Sequence, residues 1–81
     1  MVGLGNIYYN TSKWLLAEKY YLLALEHQPK SEKVLEYLGW IYGYHLEIDH
    51  KGKEYASKAL EINPDNFYAH FISAYCQESN P

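Results

Sequence analysis

The stretch Leu38-Gly39-Trp40-Ile41-Tyr42 determines the fold, because its pattern of residues occurs twice in the chain. Leu4-Gly5 and Tyr8 stand 34 positions before Leu38-Gly39 and Tyr42. A second pattern, Ala24-Leu25-Glu26-x-x-Pro29, returns 35 positions later as Ala59-Leu60-Glu61-x-x-Pro64. Self-similarity at a period of this length is typical of helical repeat proteins.

The second copy is one residue longer than the first. The spacing changes between Tyr42 and Ala59, so we expect the extra residue within the stretch Gly43 to Asp49, around the turn of the second copy. Loops tolerate insertions better than packed helix faces do. A longer loop is therefore the prediction.

Each copy is predicted to form two helices. Apolar residues of the first copy recur every three or four positions, as on one face of a helix: Leu4, Tyr8, Trp14, Ala17, Tyr21, Ala24 and Leu25. Asn10-Thr11-Ser12 separates the two helices and supplies side chains that can cap the second one. Pro29 ends the unit.

The second copy follows the same scheme and leads into a fifth helix. Ser31 and Asp49 are the predicted N-caps of helices over roughly 32–45 and 50–62. After Pro64-Asp65-Asn66 a last helix is predicted to continue to residue 78. Ala74 then takes the place that Gly5 and Gly39 have in the earlier copies, so this segment is half a repeat.

The pattern resembles the tetratricopeptide repeat, a helix-turn-helix unit of 34 residues. The residues that carry the resemblance are Leu4-Gly5, Tyr8, Ala17, Tyr21, Ala24 and Pro29, then Leu35, Leu38-Gly39, Tyr42, Gly52, Ala59 and Pro64. The resemblance implies an all-α fold, a right-handed superhelical stack of antiparallel helix pairs with about five helices. Residues 1–81 then form a single domain, with repeat one over about 1–31, repeat two over about 32–66 and a final helix over about 67–78.

The second copy departs from the family pattern in two ways. Ala56 stands where the family has a large ring, and we expect the neighbouring Tyr55 to supply that volume. The turn is longer by one residue. The stretch from Leu38 to Ala59 is also similar to the Sel1-like repeat, which has a longer turn containing glycine, and this alternative stays open.

The resemblance also implies a binding surface, since members of this family usually bind partners in the concave groove of the superhelix. The groove positions of the family correspond here to Asn6, Tyr9, Asn10, Lys33, Tyr37, Trp40, Tyr44, Tyr68, Ile72 and Tyr75. Aromatic side chains dominate this set, and such side chains are frequent in the energetic centres of protein interfaces. Trp14, at the start of a second helix, is predicted to be a core residue.

Composition argues against other classes of partner. The net charge is −3, and the chain contains seven Lys and no Arg, so a face that neutralises nucleic-acid phosphates is not expected. Cys76 is the single cysteine and cannot form an internal disulfide, which favours a reducing, cytoplasmic location. Residues 1–10 have neither the charge of a signal peptide nor the apolar length of a membrane span.

No residue pattern predicts catalysis, a metal or a cofactor. His45, Glu47, Asp49 and His50 are close in sequence but lack the spacing of a zinc site. Cys76 and His70, six residues apart on one helix, are expected to point to different faces. Gly3-x-Gly5 lacks the strand and third glycine of a dinucleotide loop, and is instead predicted to be a helix-packing pair.

The sequence therefore predicts a non-catalytic protein–protein interaction module or scaffold that binds a peptide or a helix of a partner. The alternative is a fragment of a longer solenoid or a self-associating structural unit. The second possibility depends on the last helix, which carries Phe67, Phe71 and Tyr75 without a following helix to cover them.

Overall fold

The computed structural model of the chain describes residues 2–78, with side chains described for residues 3–76. Within those residues the protein is all-helical and contains no strand. Its elements are α1 (Val2–Asn10), α2 (Trp14–His27), α3 (Glu32–Trp40), a π-helical segment (Ile41–His45), α4 (Asp49–Ile62) and α5 (Phe67–Glu78). The predicted number of helices and their order are confirmed.

Short connections pair the helices. Three residues join α1 to α2 and the π-helical segment to α4, and four residues join α2 to α3 and α4 to α5. Connections of this length bring consecutive helices together as antiparallel neighbours. Contacts link α1 with α2, α3 with α4 and α4 with α5, and α3 also contacts α2 and α5. Helix α3 is therefore the centre of the molecule.

The predicted helix boundaries agree closely with the structure. The extra residue was predicted to lengthen a loop, and this prediction was wrong. Helix α3 runs directly into the π-helical segment, so helical backbone covers Glu32 to His45. The Leu46 amide donates to the Ile41 carbonyl five residues earlier, at 2.8 Å, whereas the matching Thr11 amide donates to Ile7, four residues earlier. A wider helical turn, and not a longer loop, accommodates the insertion.

After this wide turn both copies contain a residue of positive φ at the matching position. Ser12 and Glu47 occupy matching positions and both have a positive φ, 62° and 57°. In the first copy, the Ser12 and Lys13 amides donate to the Tyr9 and Tyr8 carbonyls, the hydrogen-bond pattern of a Schellman motif. The two turns thus share a residue of positive φ, whereas the closing hydrogen bond of the second copy, from the Ile48 amide to the Tyr42 carbonyl, spans six residues.

Two of the predicted caps are corrected. Thr11 caps the end of α1 and not the start of α2, since its hydroxyl donates to the Ile7 and Tyr8 carbonyls. Ile48 occupies the N-cap of α4, and Asp49 lies in the first turn, where its carboxylate interacts favourably with the helix dipole. Ser31 does occupy the N-cap of α3, without a hydrogen bond from its side chain.

Two buried clusters form the core. The first joins α2 to α3 and the π-helical segment, and consists of Ala17, Tyr21, Ala24, Val34, Leu38, Ile41 and Tyr42. The second joins α3, α4 and α5, and consists of Leu35, Ala56, Ala59, Ala69, Ile72 and Cys76. Tyr55 packs against both clusters and stacks on Tyr42, with the ring centroids 5.3 Å apart. The prediction that Tyr55 supplies volume beside Ala56 is consistent with these contacts.

Glycines allow helix backbones to approach one another closely. A Cβ atom added to Gly52 would lie 2.6 Å from the Gly43 Cα, and one added to Gly43 would lie 2.9 Å from the Cys76 Sγ. Gly5 is equally confined, because its Cβ would lie 2.7 Å from the Tyr21 ring. Gly3 has nothing within 4 Å, so only one residue of the predicted Gly3-x-Gly5 packing pair contributes to packing.

The contact between Gly43 and Gly52 predicts that Gly52→Ala destabilises the chain strongly. The added methyl group meets backbone atoms, which cannot move aside as a side-chain end can, and overpacking of this kind costs about 1–3 kcal/mol or more. Gly3→Ala is the matched control, expected to leave the free energy of unfolding unchanged or slightly higher, because alanine favours helix. Urea unfolding followed by circular dichroism measures both variants. Equal stability of Gly52→Ala and the wild type would contradict the close approach.

Candidate binding groove

One face of α3 forms the floor of a groove. Lys33, Glu36, Tyr37 and Trp40 follow one another at spacings of three, one and three residues, so they share one side of the helix. Helix α1 contributes Tyr9 on one side and α5 contributes Tyr68 on the other. Together these six side chains line an open cavity of about 230 Å³.

The structure brings half of the predicted groove residues to this cavity: Tyr9, Lys33, Tyr37, Trp40 and Tyr68. Asn10 and Tyr44 are exposed outside it. The half-buried Asn6 accepts a hydrogen bond from the Tyr21 hydroxyl, so its carbonyl is already engaged within the fold. Ile72 was predicted wrongly: it is 2% exposed and belongs to the core cluster of α3, α4 and α5.

Ring contacts hold the α1 side of the groove in place. Tyr37 lies between two other tyrosines, with its centroid 5.1 Å from the parallel Tyr21 ring and 5.3 Å from the tilted Tyr9 ring. Tyr9 also contacts Trp14 edge to face at 5.3 Å. Rings packed at these distances stabilise one another and restrict rotation. Burial, assisted by Tyr37, raises the pKa of Tyr9, so its hydroxyl remains a proton donor at neutral pH.

A second set of rings extends the groove beyond the cavity along the π-helical segment and α5. Trp40 contacts Tyr44 and Phe71, with centroids 5.7 and 5.5 Å away. Tyr44 in turn contacts the half-buried Tyr75 at 5.7 Å. The wide π turn therefore places Tyr44 between Trp40 and Tyr75, so the inserted residue shapes this aromatic surface directly.

Sequence reasoning missed the acidic residue of the cavity. Glu36 is only 8% exposed, and its Oε2 accepts a hydrogen bond from the Asn66 Nδ2 at 2.8 Å. Asn66 also donates to Glu32, and its Oδ1 caps α5 by accepting from the Ala69 amide. Helical spacing could have indicated Glu36, because it stands three residues after Lys33 and four before Trp40 and so shares their face of α3. The partner Asn66, 30 residues away, was not apparent without the fold.

His45 was considered as a metal ligand, but it lies in an aromatic environment. Its ring stacks on Trp14, with the centroids 3.7 Å apart, and its Nε2 lies 3.3 Å from the Tyr9 hydroxyl. Burial lowers the pKa of His45 below its ordinary value. Trp14 is half-buried and packs against the first core cluster, in agreement with its predicted role.

The structure gives no support to the other metal and catalytic sites that were considered from the sequence. Within residues 3–76, no three His, Cys, Asp or Glu side chains come close enough to hold a metal ion. Burial, with a contribution from Asp49, raises the pKa of the Cys76 thiol, which disfavours the reactive thiolate. None of the described helices is long and apolar enough to cross a membrane.

A larger cavity of about 660 Å³ lies on another side of the molecule. It is lined by Pro29, Lys30, Leu35, Lys58, Glu61 and Ile62, from the α2–α3 connection, α3 and the end of α4. Its lining is an even mixture of charged and apolar side chains and lacks aromatic rings. The smaller cavity on α3 combines rings, a buried carboxylate and an ammonium group, and is the better candidate for specific recognition.

Comparison of the chain with protein-family models, with characterised proteins and with solved structures gives no match. The groove is therefore interpreted from its own geometry.

The environment of His45 predicts a pH-dependent stability. Because the folded pKa is lowered, the folded chain favours the neutral ring, and stability is fully present above the ordinary histidine pKa of about 6.5. As the pH falls through the pKa that His45 has in the folded chain, the unfolded chain binds a proton more readily than the folded chain does. The free energy of unfolding therefore decreases. Urea titrations between about pH 7.5 and 5 measure this slope. We expect His45→Gln to reduce the slope and His50→Gln, an exposed control, to retain it; equal slopes in both variants contradict the assignment.

Proposed function

We propose that this protein is a non-catalytic interaction module, similar to a tetratricopeptide repeat, whose concave groove binds a peptide or a helix of a protein partner. The observation that carries the proposal is the cavity on α3, where tyrosine and tryptophan side chains from three helices surround Lys33 and Glu36. Rings of this kind offer a large apolar area at low entropic cost, with polar tips for orientation.

The repeated geometry supports the likeness to tetratricopeptide repeats. Helices α2 and α4 both contain 14 residues and end in the same way, with the Gln28 and Asn63 amides donating to Ala24 and Ala59. Each follows a turn with one residue of positive φ. Two helix pairs that match in their second helices, followed by a single helix, are what two and a half repeats require. A cytoplasmic location suits the single, buried cysteine and is part of the proposal.

Loss of a groove ring is predicted to weaken partner binding without unfolding the chain. Peptides selected from a displayed random library on the wild-type protein provide the ligand, and calorimetry gives its dissociation constant. We expect Trp40→Ala to weaken binding about thirtyfold or more, which corresponds to about 2 kcal/mol for an interface anchor. Tyr68→Ala, at a cavity side chain that is 51% exposed, tests the same face with little risk to the core.

Phe67→Ala is the matched control, because Phe67 is on the same helix as Tyr68 but does not line the cavity. Circular dichroism confirms that each variant is folded. The proposal fails if no peptide is enriched, or if enriched peptides bind Tyr68→Ala as tightly as Phe67→Ala.

A second candidate function is self-association, or a place within a longer solenoid, and one specific observation favours it. Phe67 is 74% exposed and Phe71 48% exposed, and they lie about one turn apart on α5. Apolar side chains at this exposure favour contact with another surface. Tyr75, the third predicted self-association residue, is half-buried and contacts Tyr44, which makes it less available for such a contact.

Self-association through α5 predicts a dimer that charges on this helix disrupt. Phe67→Glu combined with Phe71→Glu introduces two carboxylates that a dimer interface must desolvate, so the dimer is expected to dissociate while helicity stays unchanged. Sedimentation over a range of concentrations measures the association state. Leu15→Glu with Ser57→Glu, exposed positions on α2 and α4, adds the same charge away from α5 and is the control. A wild-type chain that stays monomeric at about millimolar concentration contradicts this candidate.

A further inference from the structure

We propose that the α3 cavity recognises the methylated ammonium group of a lysine side chain in a peptide partner. The inference rests on the proposed function and names the chemistry that the groove accepts. Its basis is the composition of the lining: four aromatic side chains and one nearly buried carboxylate surround a single cavity, namely Tyr9, Tyr37, Trp40, Tyr68 and Glu36.

The lining suits a cation that carries methyl groups. An aromatic face attracts a cation through its quadrupole, and clusters of rings recognise quaternary and methylated ammonium groups in this way. Tyr9 and Tyr37 are in contact but inclined at 57°, so they form two adjoining walls and not one flat surface. Methyl groups make apolar contact with such walls. An unmodified ammonium is more strongly hydrated and loses more hydration free energy when it enters the cavity.

Glu36 provides the charge complementarity. Its Oε2 is held by the Asn66 Nδ2, and Asn66 is itself fixed as the cap of α5, so the carboxylate is positioned before any ligand binds. A negative charge in a largely buried site attracts a cation more strongly than one in bulk water does. The neighbouring Lys33 is exposed, so the like charge lies at the rim of the cavity.

The size and openness of the cavity favour a side chain of a peptide over a free small molecule. Sites for drug-sized ligands typically occupy about 300–1,000 Å³ and enclose most of the ligand. This cavity holds about 230 Å³ and is open, so it accommodates one head group whose stem leaves toward the groove. Beyond it, Tyr44 and Phe71 continue the surface on which a flanking peptide can lie.

The test uses a peptide with no other side chain, acetyl-Gly-Gly-Lys-Gly-Gly-amide, in unmodified, dimethylated and trimethylated forms. A neutral analogue replaces the trimethylated nitrogen by carbon and keeps the shape. Binding is followed by the NMR shift of the Trp40 indole N–H, with Trp14, which does not line the cavity, as the internal comparison. We expect the methylated peptides to bind about tenfold more tightly than the neutral and unmodified ones.

The variants separate charge from shape. Glu36→Gln retains an acceptor for Asn66 and removes the charge, so it is expected to weaken the trimethylated peptide about fivefold and leave the neutral analogue unchanged. Trp40→Leu keeps apolar volume without a ring and is expected to weaken binding of the trimethylated peptide about tenfold. Tyr68→Leu tests the same loss at an exposed position if Trp40→Leu does not fold. Lys33→Ala, which removes the like charge, is expected to strengthen binding about twofold.

Several results overturn the inference. If the neutral analogue binds as tightly as the trimethylated peptide, the cavity recognises apolar shape and not charge. If the unmodified peptide binds as tightly as the trimethylated one, the methyl groups have no role. Tetramethylammonium that binds as tightly as the methylated peptide assigns the cavity to a free cation. If library-selected peptides bind through Trp40 and Tyr68 while every methylated probe fails at about 10 mM, the inference is wrong and the proposed function stands. If neither library-selected peptides nor methylated probes bind, the inference and the proposed function are both rejected.

Discussion

The close approach of two helix backbones at Gly43 and Gly52 is the constraint on which the rest of the structure depends. No other residue type fits at Gly52, where a Cβ atom would lie 2.6 Å from the Gly43 Cα. The Cys76 sulfur packs against the same point, so α5 is fixed onto the crossing of α4 with the π-helical segment. Because α5 carries Tyr68, the position of one wall of the groove follows from this contact between glycines.

The extra residue of the second copy acts at the same place. An insertion in a loop would leave the helix faces unchanged, whereas the π turn over Ile41–His45 widens the helix beside the groove. Tyr44 then reaches Trp40 and Tyr75, and His45 stacks on Trp14. The π-helical segment therefore contacts Trp14 of the first copy through His45 and Trp40 of the groove through Tyr44.

The groove combines rigidity with a defined charge. Ring contacts restrict Tyr9 and Tyr37, and the hydrogen bond from Asn66 restricts Glu36. A preformed site loses little entropy when it binds, so even a cavity of about 230 Å³ can be selective. Phe67 and Phe71 do not line this cavity, but Phe71 contacts Trp40 and Phe67 contacts Tyr68, so the exposed rings of α5 adjoin the groove.

The sequence by itself determined the helices, because periodic apolar residues and the punctuation at Pro29 and Pro64 are local signals. The resemblance to the tetratricopeptide repeat also indicated five of the cavity residues, which lie on α1, α3 and α5. Only the tertiary structure decided that Ile72 is buried, that the insertion forms a π turn and that Glu36 meets Asn66. These features depend on which helices cross and how closely, and the close contact of Gly43 with Gly52 joins residues whose proximity no local pattern encodes.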